Sequence, residues 1–225
     1  MEVLIRKLVI ANLALITCAL VGPAAAEPSP PITIQDAQQL PAFRGTVAQY
    51  TLSPRGDVDG LILTDGTEVH LPPHLSTALV FAVKPGDAVT VRGLRAYSIP
   101  MIAAVGVTND ASGQNVIDTG PSGSAPGAPG ELMSVQGRIK SALHGPGGEI
   151  NGAVLDDGTI LRLPPQAQRF AVLLLPGQNV AAQGDGLTTP MGRVLDVRAL
   201  GPSPADLNGI RLPFAHPAPS GLPRP

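Results

Sequence analysis

The chain has 225 residues, among them 26 Gly and 25 Pro, a density of helix breakers that excludes a bundle of long helices. Charged residues make up 14% against 44% hydrophobic, which lifts the sequence out of the polar, highly charged class that stays unfolded, and the formal net charge of −2 argues against a strongly basic surface. With no Trp, 2 Tyr and 4 Phe, the core must be built from Val, Leu, Ile and Ala, and aromatic platforms for stacking are scarce.

Arg6 and Lys7 precede an apolar run from Leu8 to Val21, broken only by Asn12 and Thr17. Ala24, Ala25 and Ala26 then supply the small residues that a signal peptidase needs before Glu27, so residues 1–26 read as a secretory signal and the expected location is periplasmic or secreted. The run is shorter than the roughly 20 residues that span a bilayer and no second run follows, so no transmembrane segment is expected in the mature chain. Cys18, the only cysteine, lies inside the run, and its removal leaves neither a thiol nor a disulfide. Lipid attachment at Cys18 is the competing reading, but Leu15, Ile16 and Thr17 make a poor lipobox. Loss of Glu2, Arg6 and Lys7 leaves 13 basic and 16 acidic residues, a net charge of −3, and nucleic acid is therefore expected to be an unlikely partner.

An internal duplication organises the rest. Gly60, Leu63, Asp65, Gly66, Thr67, Leu71, Pro72 and Pro73 recur 92 residues later as Gly152, Leu155, Asp157, Gly158, Thr159, Leu163, Pro164 and Pro165. After the Pro-Pro pair the offset is 91, so that Pro85, Gly86, Val89 and Gly93 match Pro176, Gly177, Val180 and Gly184. Matching Gly and Pro at fixed spacing mean that both copies need the same turns, the mark of one small domain used twice. The chain then divides into the signal (1–26), a flexible segment (27–41), a first domain (42–109), a Gly/Ser/Pro linker (110–131), a second domain (132–201) and a disordered Pro-rich tail (202–225).

In chain order, Arg44 to Leu52 and Val58 to Thr64 read as strands on β-branched and apolar content, separated by the loop Ser53 to Asp57. Asp65-Gly66 and Asp157-Gly158 read as hairpin turns, since this dipeptide tolerates the positive φ angles of a two-residue loop. In the third strand Val69 and Leu71 alternate with Glu68 and His70, and in the second copy Leu161 and Leu163 alternate with Ile160 and Arg162, which predicts one buried and one wet face. The Pro-Pro step cannot continue a central strand but suits a first helical turn, and Leu75, Ala78, Leu79, Ala82 and Val83 follow at helical spacing. A fourth strand over Ala88 to Gly93 or Asn179 to Gly184 and a fifth over Met101 to Val107 or Arg193 to Leu200 complete each unit.

This order, three strands, a helix and two strands, predicts an all-β chain of two tandem five-stranded OB-like barrels, each with a short helix between strands three and four. Through Gly60 to Pro73 and the Pro85-Gly86-Asp87 turn the repeat resembles exported bacterial OB-fold proteins, a likeness carried by turn and core residues that speaks to fold and not to activity. An SH3-like barrel is the alternative fold.

An OB barrel binds ligands over strands two and three and between the loops joining strands one to two and four to five. The candidate binding residues are therefore Arg55, Asp57, Asp59, Glu68 and His70 in the first copy and Glu149, Asn151 and Arg162 in the second. None is aromatic. His70 and His74 are a weak metal pair: a tight site needs three or four ligands, and the second copy carries Arg162 and Gln166 there. Asp57-Val58-Asp59-Gly60 and its echo Glu149-Ile150-Asn151-Gly152 could begin a calcium loop, but the later ligands do not follow and a turn or bulge accounts for both. A nucleophile elbow, a Cys and His pair, a Walker loop, an HExxH helix and a dinucleotide fingerprint are all missing from the sequence, so catalysis is not expected and no cofactor is implied. The reading is an exported, non-enzymatic protein that binds an envelope protein, a peptide or a small or saccharide-like ligand. Single-stranded nucleic-acid binding and divalent-metal binding are the alternatives.

Overall fold

Strand pairing in the computed structural model, which describes residues 34–120 and 130–210, follows the duplication strand for strand. The stretch read as a signal, with Cys18, the middle of the expected linker and the end of the expected tail lie outside the described residues. A short helix, α1 (Ile34–Gln39), precedes the first copy, whose strands are β1 (Ala42–Leu52), β2 (Val58–Leu63), β3 (Glu68–His70), β4 (Ala88–Arg95) and β5 (Met101–Asn109). They lie in the order β3-β2-β1-β4-β5, and the sheet closes on itself because β3 also pairs in parallel with β5. A three-residue strand, β6 (Asn115–Ile117), adds to the outer side of β5.

The second copy repeats this with β7 (Glu131–His144), β8 (Ile150–Leu155), β9 (Ile160–Arg162), β10 (Asn179–Thr189) and β11 (Gly192–Gly201), closed by parallel pairing of β9 with β11. A two-residue strand, β12 (Asn208–Gly209), pairs with β11. Two closed five-stranded barrels with OB connections result, and the SH3-like alternative is set aside by the closure and by the helix after β3.

The offset seen in sequence is a register in space. Val47 faces Leu63 and Leu52 faces Val58 in one copy, while Ile139 faces Leu155 and His144 faces Ile150 in the other, with bulges at matching points. The Asp-Gly turns also match: Thr67 N–H donates to Asp65 Oδ1 and Thr159 N–H to Asp157 Oδ1, each at 2.9 Å. Only the glycines take positive φ, 84° at Gly66 and 85° at Gly158. The loops are thus not the two-residue turns expected, which need two positive φ angles, but a longer turn ending in a left-handed glycine.

Gly60 and Gly152 recur for a different reason. They sit inside β2 and β8, where a Cβ would run into the carbonyl oxygen of Val69 or Leu161 on the next strand. They are kept small by strand approach and not by a turn.

The Pro-Pro step leaves the strand in both copies. In the first, a 3-10 turn (Pro73–Leu75) runs into α2 (Ser76–Ala82), burying Leu75, Leu79, Ala82 and Val83. In the second, the whole segment Pro165–Leu174 is 3-10 helix, burying Ala167, Phe170 and Leu174. A 3-10 helix rises about 2.0 Å per residue against 1.5 Å for an α-helix, which lets the second connector reach its matching proline with one residue fewer.

Three stretches expected to be irregular carry structure: α1 before the first barrel, β6 in the presumed linker, and the 3-10 turn Pro204–Asp206 with β12 in the presumed tail. Each is anchored by one apolar residue, Ala37, Val116 and Ile210, that is nearly fully buried. Arg92 ties α1 down by donating to the carbonyls of Gln38 and Leu40. A single anchor among polar neighbours leaves no periodicity to read.

Candidate functional site

On β2 and β3 the side chains that point out of the barrel are those of Ile62, Glu68 and His70, since Ile62 pairs with Glu68 and Gly60 with His70. On β8 and β9 they are Val154, Ile160 and Arg162. The expectation of a wet outer face fails in both copies: Glu68 is 4% exposed and Ile160 1%. The cause is that each barrel covers the other. Leu143, Val154, Ile160 and Val194 of the second copy belong to the same buried cluster as Leu52, Val58 and Ile62 of the first.

Polar contacts lock this face. Arg162 donates from Nη2 to both carboxylate oxygens of Asp59, at 2.7 and 2.6 Å, and from Nε to the carbonyl of Leu52 at 2.8 Å. Thr51 Oγ1 also donates to Asp59, at 2.8 Å. Glu68 receives His144 twice, the backbone N–H at 3.0 Å and ring Nδ1 at 2.6 Å, with His70 Nε2 in longer contact at 3.4 Å. Nδ1 of His144 faces only an acceptor, so it carries the proton. Burial pushes the Glu68 carboxyl up, but the hydrogen bonds from His70 and His144 and the His144 charge outweigh it and hold the group below the usual carboxylate range.

The structure therefore brings Asp59, Glu68, His70 and Arg162 together, each contacting the other barrel or a neighbour that does. Arg55 is exposed, and Asp57 is half-buried with its carbonyl accepting from Ser53 N–H at 2.8 Å. Glu149 is exposed in the loop after β7. Asn151, the counterpart of Asp59, has a buried Oδ1 with no hydrogen-bond partner. His70 and His74 diverge: His74 Nε2 lies 3.0 Å from Asp118 Oδ1, beyond β6.

His144 and Leu52 were missed as members of this face. The signal was present in the repeat itself: His144 stands where the first copy has Leu52, and Ile160 where it has Glu68.

Beside the closed face an open cleft of ≈ 520 Å³ runs between β1 of the first barrel and the β10–β11 hairpin of the second. Gln49, Asp157, Thr188 and Arg193 rim it, over Ile160 and Met191. On the Asp59 side a smaller opening of ≈ 270 Å³ is lined by Pro54, Asp59, Asn151, Arg162 and Asp196. Burial, then the charge of Asp185, raises the Asp196 carboxyl.

No family model matches the chain, and no curated protein matches it. Among solved structures it is similar to the single-stranded DNA binding protein from Thermus aquaticus, at 12% identity and a TM-score of 0.24 over 80% of this chain and 95% of that one. A deletion mutant of that protein matches at 11% and 0.23, over 77% and 94%. Against the expectation that nucleic acid is an unlikely partner, both of these structures are of single-stranded DNA binding proteins. At such TM-scores the likeness carries no argument about what this chain binds.

Proposed function

We propose that the chain is an exported, non-enzymatic binding protein whose two OB-like barrels act as one body, with the ligand taken in the cleft between β1 and the β10–β11 hairpin. The observation that carries this reading is the mutual covering of the two β-hairpin faces, which leaves the cleft as the concave surface next to a loop that OB barrels use for recognition. Its rim of amide, hydroxyl and one acid and one base, over a small apolar floor, suits an uncharged ligand that hydrogen-bonds along its length, such as a saccharide or a peptide segment. Export rests on the sequence of residues 1–26.

Calorimetric titration of the mature protein with glycan fragments, peptides and a single-stranded oligonucleotide at low salt tests the reading. A ligand whose binding is lost in Gln49→Ala and Arg193→Ala supports it. Binding indifferent to both substitutions moves the site elsewhere, and turnover of any of these compounds overturns the non-enzymatic reading.

A further inference from the structure

The contacts between the barrels come in exchanged pairs. Gly56, in the β1–β2 loop, packs on the β10–β11 hairpin, where a Cβ would lie 3.4 Å from Leu187 and 3.5 Å from Thr189. Gly148, its counterpart in the β7–β8 loop, packs on the β4–β5 loop, where a Cβ would lie 3.6 Å from Ile99. The end of β1 meets β9 through Leu52 and Arg162, and the end of β7 meets β3 through His144 and Glu68. Swapping the copies maps each pair of elements onto the other, which is the pattern of an isologous dimer.

The side chains at these exchanged places are not the same. One place holds the hydrogen-bonded pair Glu68 and His144, and its counterpart holds Ile160 and Leu52, both in the buried cluster. The other holds the ion pair Asp59 and Arg162, and its counterpart holds Asn151 and His70. His70 turns to Glu68 instead, and the Asn151 oxygen is left without a partner. If a first barrel met another first barrel, two buried Glu68 carboxylates would face Leu52, each left with only the 3.4 Å contact of its own His70. If a second met a second, two Arg162 guanidiniums would face Asn151. A buried charge without a partner is strongly unfavourable.

We infer that the covered face is a self-complementary surface inherited by both copies, and that divergence at Leu52/His144, Asp59/Asn151, Glu68/Ile160 and His70/Arg162 has made each barrel fit only the other copy. The partner this face selects is an OB-like barrel with the opposite distribution of charge. This goes beyond the proposed ligand cleft and does not depend on it.

Two full-length variants decide it, both using only residues that one copy already carries at the matched place. The half exchange, His144→Leu with Ile160→Glu, puts a second carboxylate on the covered face and removes the His144 ring, so that Glu68 keeps only the 3.4 Å contact of His70. The full exchange adds Leu52→His and Glu68→Ile, which moves the carboxylate–histidine pair to the mirror position. Small-angle scattering and amide hydrogen exchange are read on both, with circular dichroism monitoring the strands. The expected result is a larger radius of gyration and lost slow exchange along β3 and β9 in the half exchange, with both restored to wild type in the full exchange. Restoration is the deciding result whether the half exchange merely opens or unfolds. A full exchange that stays open, or a half exchange as closed as wild type, overturns the inference.

Discussion

Arg162 and Asp59 are joined in a fork across the two barrels, with one guanidinium nitrogen at 2.7 and 2.6 Å from the two carboxylate oxygens. Their side chains are 12% and 20% exposed, so neither charge is freely solvated. Removing the cation in Arg162→Met should destabilise the protein by about 2 to 3 kcal/mol, below the full figure for a buried pair because both groups keep some water. Asp59→Asn in the same background should recover part of that loss. Urea unfolding of the single and double variants gives the coupling; an additive double variant would show that the two residues do not depend on each other.

Acid should loosen the same face through Glu68. Its folded-state value is depressed, so the group contributes stability above the unfolded carboxyl value, about 4.3 for Glu, and that contribution disappears as pH falls through the folded value. Wild type should therefore lose more stability than Glu68→Gln between about pH 5 and pH 3. Urea midpoints across that range make the comparison, and parallel curves would refute it.

The two strand glycines should be intolerant of the smallest side chain. Gly60→Ala or Gly152→Ala forces a methyl group against the carbonyl of Val69 or Leu161, and a loss of about 2 kcal/mol or more is expected from overpacking. Gly209→Ala, with nothing within 4 Å, is the control that should stay within about 0.5 kcal/mol of wild type. Thermal midpoints suffice to separate them.

Tyr50 should matter in the first barrel alone. Its hydroxyl donates to the carbonyl of Val83 at 2.6 Å where the chain leaves α2, whereas the second copy has Ala142 at the matched place. Tyr50→Phe should cost about 1 to 2 kcal/mol, by leaving that buried carbonyl unpaired. Equal stability of the variant and wild type would mean that water replaces the hydroxyl.

Much of the barrel was legible because the duplication repeats the residues that fix geometry. Asp65-Gly66 and Asp157-Gly158 marked the hairpins, and the prolines at 72–73 and 164–165 marked where strand gives way to helix. The face between the barrels was not legible. Alternation along a strand tells which side chains leave the barrel, and says nothing about what lies beyond them. Glu68 and Arg162 read as solvent-facing because charged residues are almost never fully buried without a partner, and their partners are 76 and 103 residues away. Gly60 and Gly152 were visible as repeats, but their cause lies across the sheet, in the carbonyls of Val69 and Leu161.

The bonds that close the barrels on each other span 76 to 110 residues, whereas the last strand of the first barrel ends at Asn109. As the chain emerges N-terminus first, its first half can thus finish its own sheet before His144 has appeared. In that interval Glu68 and Ile62 stand uncovered, and a nascent chain carries for a time the sticky patch that the finished molecule hides. The rate at which the second half emerges and folds sets how long that exposure lasts.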